Sequence, residues 1–207
     1  LAVGFILGRD REGFVVYVTS GFLVWYLCTG IIGGALNIFQ EGKTAILHAV
    51  APMSTHLYRL AVREVIIFFH NFVVFLIIAY LFGVLFEIQW LYILPGLVLV
   101  LANLLWMGLI VACLATLFDD VTPAVQYSLM LLMFITPLFW YPEVNAHRAA
   151  FTTYNPFYYL VTAVRAPLLG EPASATVWTA CAVMAVLGWL AALSVFQLTR
   201  DKIALAL

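Results

Sequence analysis

Charge is what this sequence has least of. Only 9% of its 207 residues are Asp, Glu, Lys or Arg, against roughly 25% in a soluble domain. So few charges cannot coat a water-facing surface. With 66% hydrophobic residues and a mean hydropathy of +1.10, the chain reads as an integral membrane protein. The net charge of −1 supplies no basic stripe for phosphates, which excludes nucleic acid as a partner. Cysteine is scarce too. Cys28, Cys113 and Cys181 lie inside apolar runs and form no CxxC pair, so they read as small core residues rather than a disulfide or metal framework. GxxxxGK[ST], a GxGxxG opening a helix, HExxH and GxSxG are all missing. If ATP drives this protein, another chain must bind it. The apolar runs hold almost no ionisable group except His70, beside Asn71. An ion-coupled carrier needs acids or bases near mid-membrane to take up and release its ion, so that class is disfavoured. His70 reads as a hydrogen-bonded helix-packing residue.

What is present is a series of long uncharged runs. The opening LAVGFILG has no basic residues before it and reads as the end of a spanning helix rather than a signal peptide. The run 13–39 would extend about 40 Å as a helix, enough to cross a core of about 30 Å with tilt. Further runs cover 65–86, 91–117, 124–141 and 176–199, joined by the short connections 87–90 and 119–123. With the opening fragment, six spans are expected. An even count puts the passage 40–64 and the C-terminus on one side, with Lys43, Arg59, Arg63, Arg200 and Lys202. Arg9, Arg11, Arg148 and Arg165 fall on the other. This narrow excess points the first group towards the cytoplasm.

The stretch 136–170 organises the rest. Thr136-Pro137 cuts an apolar segment short, and Phe139, Trp140 and Tyr141 follow. A polar passage then carries Glu143, Asn145, His147 and Arg148. Asn155 can cap a helix whose first residue is Pro156, since proline has no N–H to waste there. Phe157, Leu160, Val161, Val164 and Leu168 fall on one face, and Gly170 closes the unit. Such a helix is too short to cross a bilayer and too apolar for water. Two short helical pieces dipping into one membrane surface are the expectation. Trp140, Tyr141, Tyr154, Tyr158 and Tyr159 would suit an interfacial belt, yet their density exceeds a simple girdle. Aromatic faces stack on the C–H faces of sugars while tyrosine hydroxyls bond sugar hydroxyls, so this surface could guide a carbohydrate. Arg165 could pair with Glu143 or meet an anionic headgroup; the structural pairing is favoured.

In the passage 40–64, Lys43, His48, His56, Arg59 and Arg63 surround a short helical pattern of Ala45, Ile46, Ala49 and Val50 that Pro52 ends. Two readings stand: an amphipathic helix resting on the membrane, or a docking helix that passes a partner's motion to the spans. His48 and His56 lack a nearby Cys or acid, so no metal site is expected. Asp119-Asp120, before Thr122-Pro123, reads as helix termination and an N-cap rather than a catalytic pair.

The segments ITPLFWYPE, YNPFYYLVTAVRAPLLG and GWLAALSVFQLTRDKIALAL, with LYRLAVREVIIFFHN and FDDVTPAVQ, resemble the membrane subunit of type-2 ABC exporters. The nearest branch moves lipid-linked polysaccharides such as O-antigen. The resemblance implies an all-α polytopic fold over 1–207: six transmembrane helices, the first truncated here, and a re-entrant helical pair between the fifth and sixth on the outer side, within 137–172. It implies a homodimer on two nucleotide-binding ATPase subunits, in a bacterial cytoplasmic (inner) membrane. ATP and Mg would sit on the partner, with no cofactor in this chain. The coupling loop 40–64 would touch the ATPase through Glu41, Lys43, Ile46, Leu47, His48, Pro52, His56 and Arg59. A lipid-linked glycan would pass Trp140, Tyr141, Tyr154, Phe157, Tyr158, Tyr159 and Arg165. An exporter of drugs or lipids is the alternative. A membrane enzyme on lipid-linked sugars would have to use Glu143, His147 and Arg148.

Overall fold

A computed structural model of the chain describes residues 11–48, 52–83, 88–142 and 152–206. Every regular element among them is helical: α1 (Arg11–Ala35), α2 (Ile38–Glu41), α3 (Lys43–Leu47), α4 (Met53–Leu81), a 3-10 turn (Ile88–Tyr92), α5 (Ile93–Leu117), α6 (Val121–Ile135), α7 (Pro156–Leu168) and α8 (Ala175–Ala206). Four of these stretches are long and apolar enough to cross a membrane: Gly13–Ala35, Met53–Leu81, Ile88–Leu117 and Ala175–Ile203. The opening fragment expected to end a first span lies outside the described residues.

Two boundaries differ from the sequence expectation. The passage 40–64 is not a loop throughout, because α4 already begins at Met53. Leu57, Leu60, Glu64 and Phe68 recur at helical spacing and are buried, while Arg59 and Arg63 face outward. The charges that make this passage look loop-like lie on the outer face of a helix whose inner face packs on α1 and α2. The apolar run 124–141 yields only the 15-residue α6. At about 22 Å it is shorter than a core of about 30 Å. Pro137 ends it, for a residue preceding proline is pushed out of the helical region, and Thr136 is extended at ψ 134°.

Helix α5 lies at the centre, packed on α1, α4, α7 and α8. Close approach between helices is made by glycines. A Cβ at Gly96 would stand 2.6 Å from the Ala163 carbonyl oxygen, so α5 meets the α7 backbone directly. Gly188 of α8 leaves room for the Trp106 indole, and Gly30 and Gly34, one turn apart on α1, receive Glu64 and Leu60 of α4. Small residues let backbones approach where lipid offers no hydrophobic drive to association. Hydrogen bonds complete the α5–α8 seam. Fully buried Asn103 donates through Nδ2 to the Leu99 and Cys181 carbonyls at 2.8 and 3.0 Å, and accepts from Trp106 Nε1 at 3.1 Å. Trp189 Nε1 donates to the Ala102 carbonyl at 3.0 Å.

Asn103→Ala removes both the interhelical donor and the Trp106 acceptor. It should lower stability by about 1–2 kcal/mol, the range for interhelical polar contacts in membranes. Thermal unfolding in nanodiscs checks this, with the outward-facing Leu190→Ala as a control expected to shift little.

Candidate functional site

The unit after α6 is built on a buried polar cluster. Asn155 caps α7 as its spacing predicts: its Oδ1 accepts from the Phe157 N–H at 2.9 Å, and Pro156 takes the first helical position. The Asn155 Nδ2 donates to Thr136 Oγ1 at 2.9 Å, which ties the start of α7 to the end of α6. At the other end Gly170 adopts φ +76°, and the Glu171 and Gly170 N–H groups donate to the Ala166 and Pro167 carbonyls at 2.9 and 3.1 Å. Those two bonds form a Schellman closure that needs a residue tolerant of positive φ.

Arg165 is buried, with 4% of its surface exposed. Its Nη1 donates to the Pro137 carbonyl at 2.6 Å, and its guanidinium carbon lies 4.3 Å from the centre of the Tyr17 ring. Tyr17 reaches the same Pro137 carbonyl from its hydroxyl at 3.0 Å and the Trp140 carbonyl at 3.1 Å. One backbone oxygen thus gathers α1, α7 and the segment leaving α6. The pairing expected between Arg165 and Glu143 falls outside the described residues, as do Glu143, Asn145, His147 and Arg148. A cavity of about 210 Å³ adjoins the cluster, lined by Tyr17, Tyr158, Thr162, Arg165 and Glu171 among others.

Of the residues expected to share a path, Tyr141, Tyr158 and Arg165 line this cavity, and Trp140, Tyr154, Phe157 and Tyr159 are not among its lining. Tyr141 is buried against Tyr17, ring centres 4.1 Å apart, and Phe157 is buried edge-on to Trp25 at 5.5 Å. Tyr154 projects outward with 86% exposure, Trp140 is half-buried with its Nε1 3.4 Å from the Phe134 carbonyl, and Tyr158 and Tyr159 form a T-shaped pair at 5.3 Å. The Tyr159 hydroxyl donates to the Thr153 carbonyl at 2.8 Å. Tyr17, missed in the sequence, is placed by its distance in the chain; nothing near it in sequence marks it.

The second group lies at the opposite end of α1. Glu41, Lys43, His48, Pro52 and Arg59 are exposed, Ile46 and His56 are half-buried, and Leu47 ends α3. The structure brings Glu41, His56 and Arg59 together with Arg63 around a cavity of about 250 Å³. The His56 ring packs so closely on Gly42 that any Cβ there would overlap it. Behind the cavity, buried Glu64 accepts from Arg63 Nε at 3.0 Å and lies against Gly30. Asp120 occupies the N-cap position of α6 as expected, without a side-chain capping bond. His70 faces outward from α4 rather than into the packing, because the buried stripe of α4 passes through Phe68 and Phe75.

Residues 1–169 match the sequence profile described as ABC-2 type transporter. No curated protein matches the chain.

Arg165→Met should cost about 1.5–3 kcal/mol, the contribution of a hydrogen bond to a charged group. Arg165→Lys should recover only part of it, lacking the planar face that lies over Tyr17. Asn155→Ala should cost about 1 kcal/mol through the lost cap. Thermal unfolding followed by limited proteolysis after residue 136 reads all three.

Proposed function

The chain belongs to the ABC-2 type transporter family, and on that premise we propose that it moves a lipid-linked polysaccharide of the O-antigen type outward across a bacterial cytoplasmic membrane. As an ABC-2 permease it is a multi-pass transport subunit whose partner is an ATPase subunit. In the reading we propose, ATP and Mg stay on two copies of that partner, two copies of this chain face each other, and six spans with an outer re-entrant pair make up each one. Support for a second copy comes from α6, which is short, exposes Tyr127, Met130, Leu131 and Phe134, and has Leu129 as its only buried residue among those described.

The observation that carries the polysaccharide reading is the separation of roles within the unit after α6. Tyr141, Phe157 and Arg165 hold it together from inside, while Tyr154 projects outward and Trp140, Tyr158 and Tyr159 are half-buried at its surface. Flat aromatic faces bearing hydroxyls suit a long, neutral, hydroxylated polymer that must slide, since each contact is weak and indifferent to sequence. Motion would enter at Glu41, Lys43, Ile46, Leu47, His48, Pro52, His56 and Arg59, beside the ends of α1 and α4. A drug or lipid exporter is the second reading, favoured by an aromatic groove of about 180 Å³ along Phe68, Phe72, Trp90 and Leu97.

Combined alanine substitution at Trp140, Tyr154 and Tyr158 should cut surface glycan by at least about tenfold, given about 0.5–1.5 kcal/mol per aromatic contact. Membrane level and ATPase co-purification should hold. Unchanged export overturns the sugar path; loss of an apolar substrate's efflux instead selects the second reading.

A further inference from the structure

The cavity between the ends of α1 and α2 and the first turns of α4 has a polar lining that the fold itself does not use. His56 Nε2 is buried and has no hydrogen-bond partner. Its ring cannot turn away freely, because one face rests on Gly42. Arg59 and Arg63 stand one and two turns further along α4 and line the same space, and Glu41 lines it from the end of α2. Arg63 is partly neutralised from behind by Glu64, with Nη2 and Nε each 3.0 Å from Oε1. Counting Glu41 and Glu64 against Arg59 and Arg63, formal charge balances. A simple anion would therefore gain little net attraction, and a simple cation likewise. What fits is a ligand that carries both signs a short distance apart.

The level of the cavity narrows the class further. Along α4 the exposed residues change from charged to aliphatic at this point: Arg59 is followed by Val62, Ile66, Phe69 and Val73 on neighbouring positions of one face, each at least 46% exposed. That stripe belongs in hydrocarbon, so the cavity sits where headgroups lie, and Tyr58 beside it is 60% exposed as an interfacial aromatic would be. At this level the arginines and the His56 N–H offer donors that suit a headgroup phosphate, and Glu41 offers an acceptor for a headgroup ammonium.

We propose that this cavity binds the headgroup of a zwitterionic aminophospholipid. The phosphate accepts from Arg59, Arg63 and the His56 Nε2–H, the ammonium donates to Glu41, and the acyl chains run along Val62, Ile66, Phe69 and Val73. The bound lipid joins α2 to α4 and so becomes part of the surface on which the ATPase subunit acts. This inference does not depend on the identity of the cargo.

The test uses the permease purified with its ATPase subunit from bilayers of equal parts phosphatidylethanolamine, phosphatidylcholine and phosphatidylglycerol with identical chains, read by native mass spectrometry. Phosphatidylethanolamine should be retained about tenfold over phosphatidylcholine, whose methylated ammonium cannot donate to Glu41. Arg59→Gln should lower retention of phosphatidylethanolamine by about as much. Glu41→Gln should abolish the preference between the two while leaving overall retention closer to the parent. Both side chains are exposed, so neither change threatens folding; an unaltered unfolding temperature verifies that. Equal retention of the three lipids, preference for phosphatidylglycerol, or displacement of the lipid by a polyprenyl diphosphate at equal concentration would each overturn the proposal. So would variants that lose the ATPase subunit but keep the lipid, because these side chains would then serve the protein partner alone.

Discussion

A buried backbone carbonyl oxygen decides how the unit after α6 is built. Pro137 has just ended α6, and its carbonyl has no place in a helical ladder. In water such a group would bond solvent; buried as it is, it must be met by the protein. Arg165 and Tyr17 both meet it, and each comes from a different helix. The guanidinium in turn needs an acceptor and a π-face to tolerate burial, and this oxygen and the Tyr17 ring provide them. The chain break and the buried cation therefore stabilise each other. Neither would persist alone, and together they set the position of α7 between α1, α5 and α8.

The same economy recurs where α5 meets α8. Leucine against leucine gives no preference over leucine against lipid, so the seam is defined by features lipid cannot imitate: the Asn103 amide bridging to the Cys181 carbonyl, the Trp189 indole on Ala102, and the Trp106 ring seated on Gly188. Helices α4 and α8 then present broad aliphatic faces outward at no cost.

Legibility from sequence followed the range of the physics. Local rules succeeded: the Asn155-Pro156 cap, the Gly170 stop and the Thr136-Pro137 break are all encoded within a few residues, and the structure has each of them. The start of α4 was misplaced because charge was weighed over periodicity; Leu57, Leu60 and Glu64 mark the buried face as clearly as Phe68 does, yet Arg59 and Arg63 between them obscure it. Partners far apart in the chain were not legible at all. Nothing in the sequence links Tyr17 to Pro137, or Gly42 to His56, since those pairings depend on which helices become neighbours. The buried role of Tyr141 was hidden for the same reason: an aromatic residue in an interfacial stretch looks alike whether it faces cargo or core.

One helix connects the two polar centres. Tyr17 near one end of α1 holds the Pro137 carbonyl, and Gly30 and Gly34 near the other hold Glu64 and Leu60 of α4 beside the cavity. The separation of Tyr17 and Gly34 along α1 is about 25 Å at helical rise. A helix whose backbone bonds are all internal resists stretching, and α1 is enclosed by α4, α5 and α7 along that length. A push delivered through α2 and α3 can therefore reach Pro137 only as a shift of α1 as a body, or as loss of the Glu64 contact. The close fit at Gly30 makes the second costly, because a separated Glu64 would stand in an apolar setting with Arg63 alone. Tight packing at one end is thus the condition for a displacement to arrive at the other, which is the mechanical property that a permease driven by a separate ATPase requires.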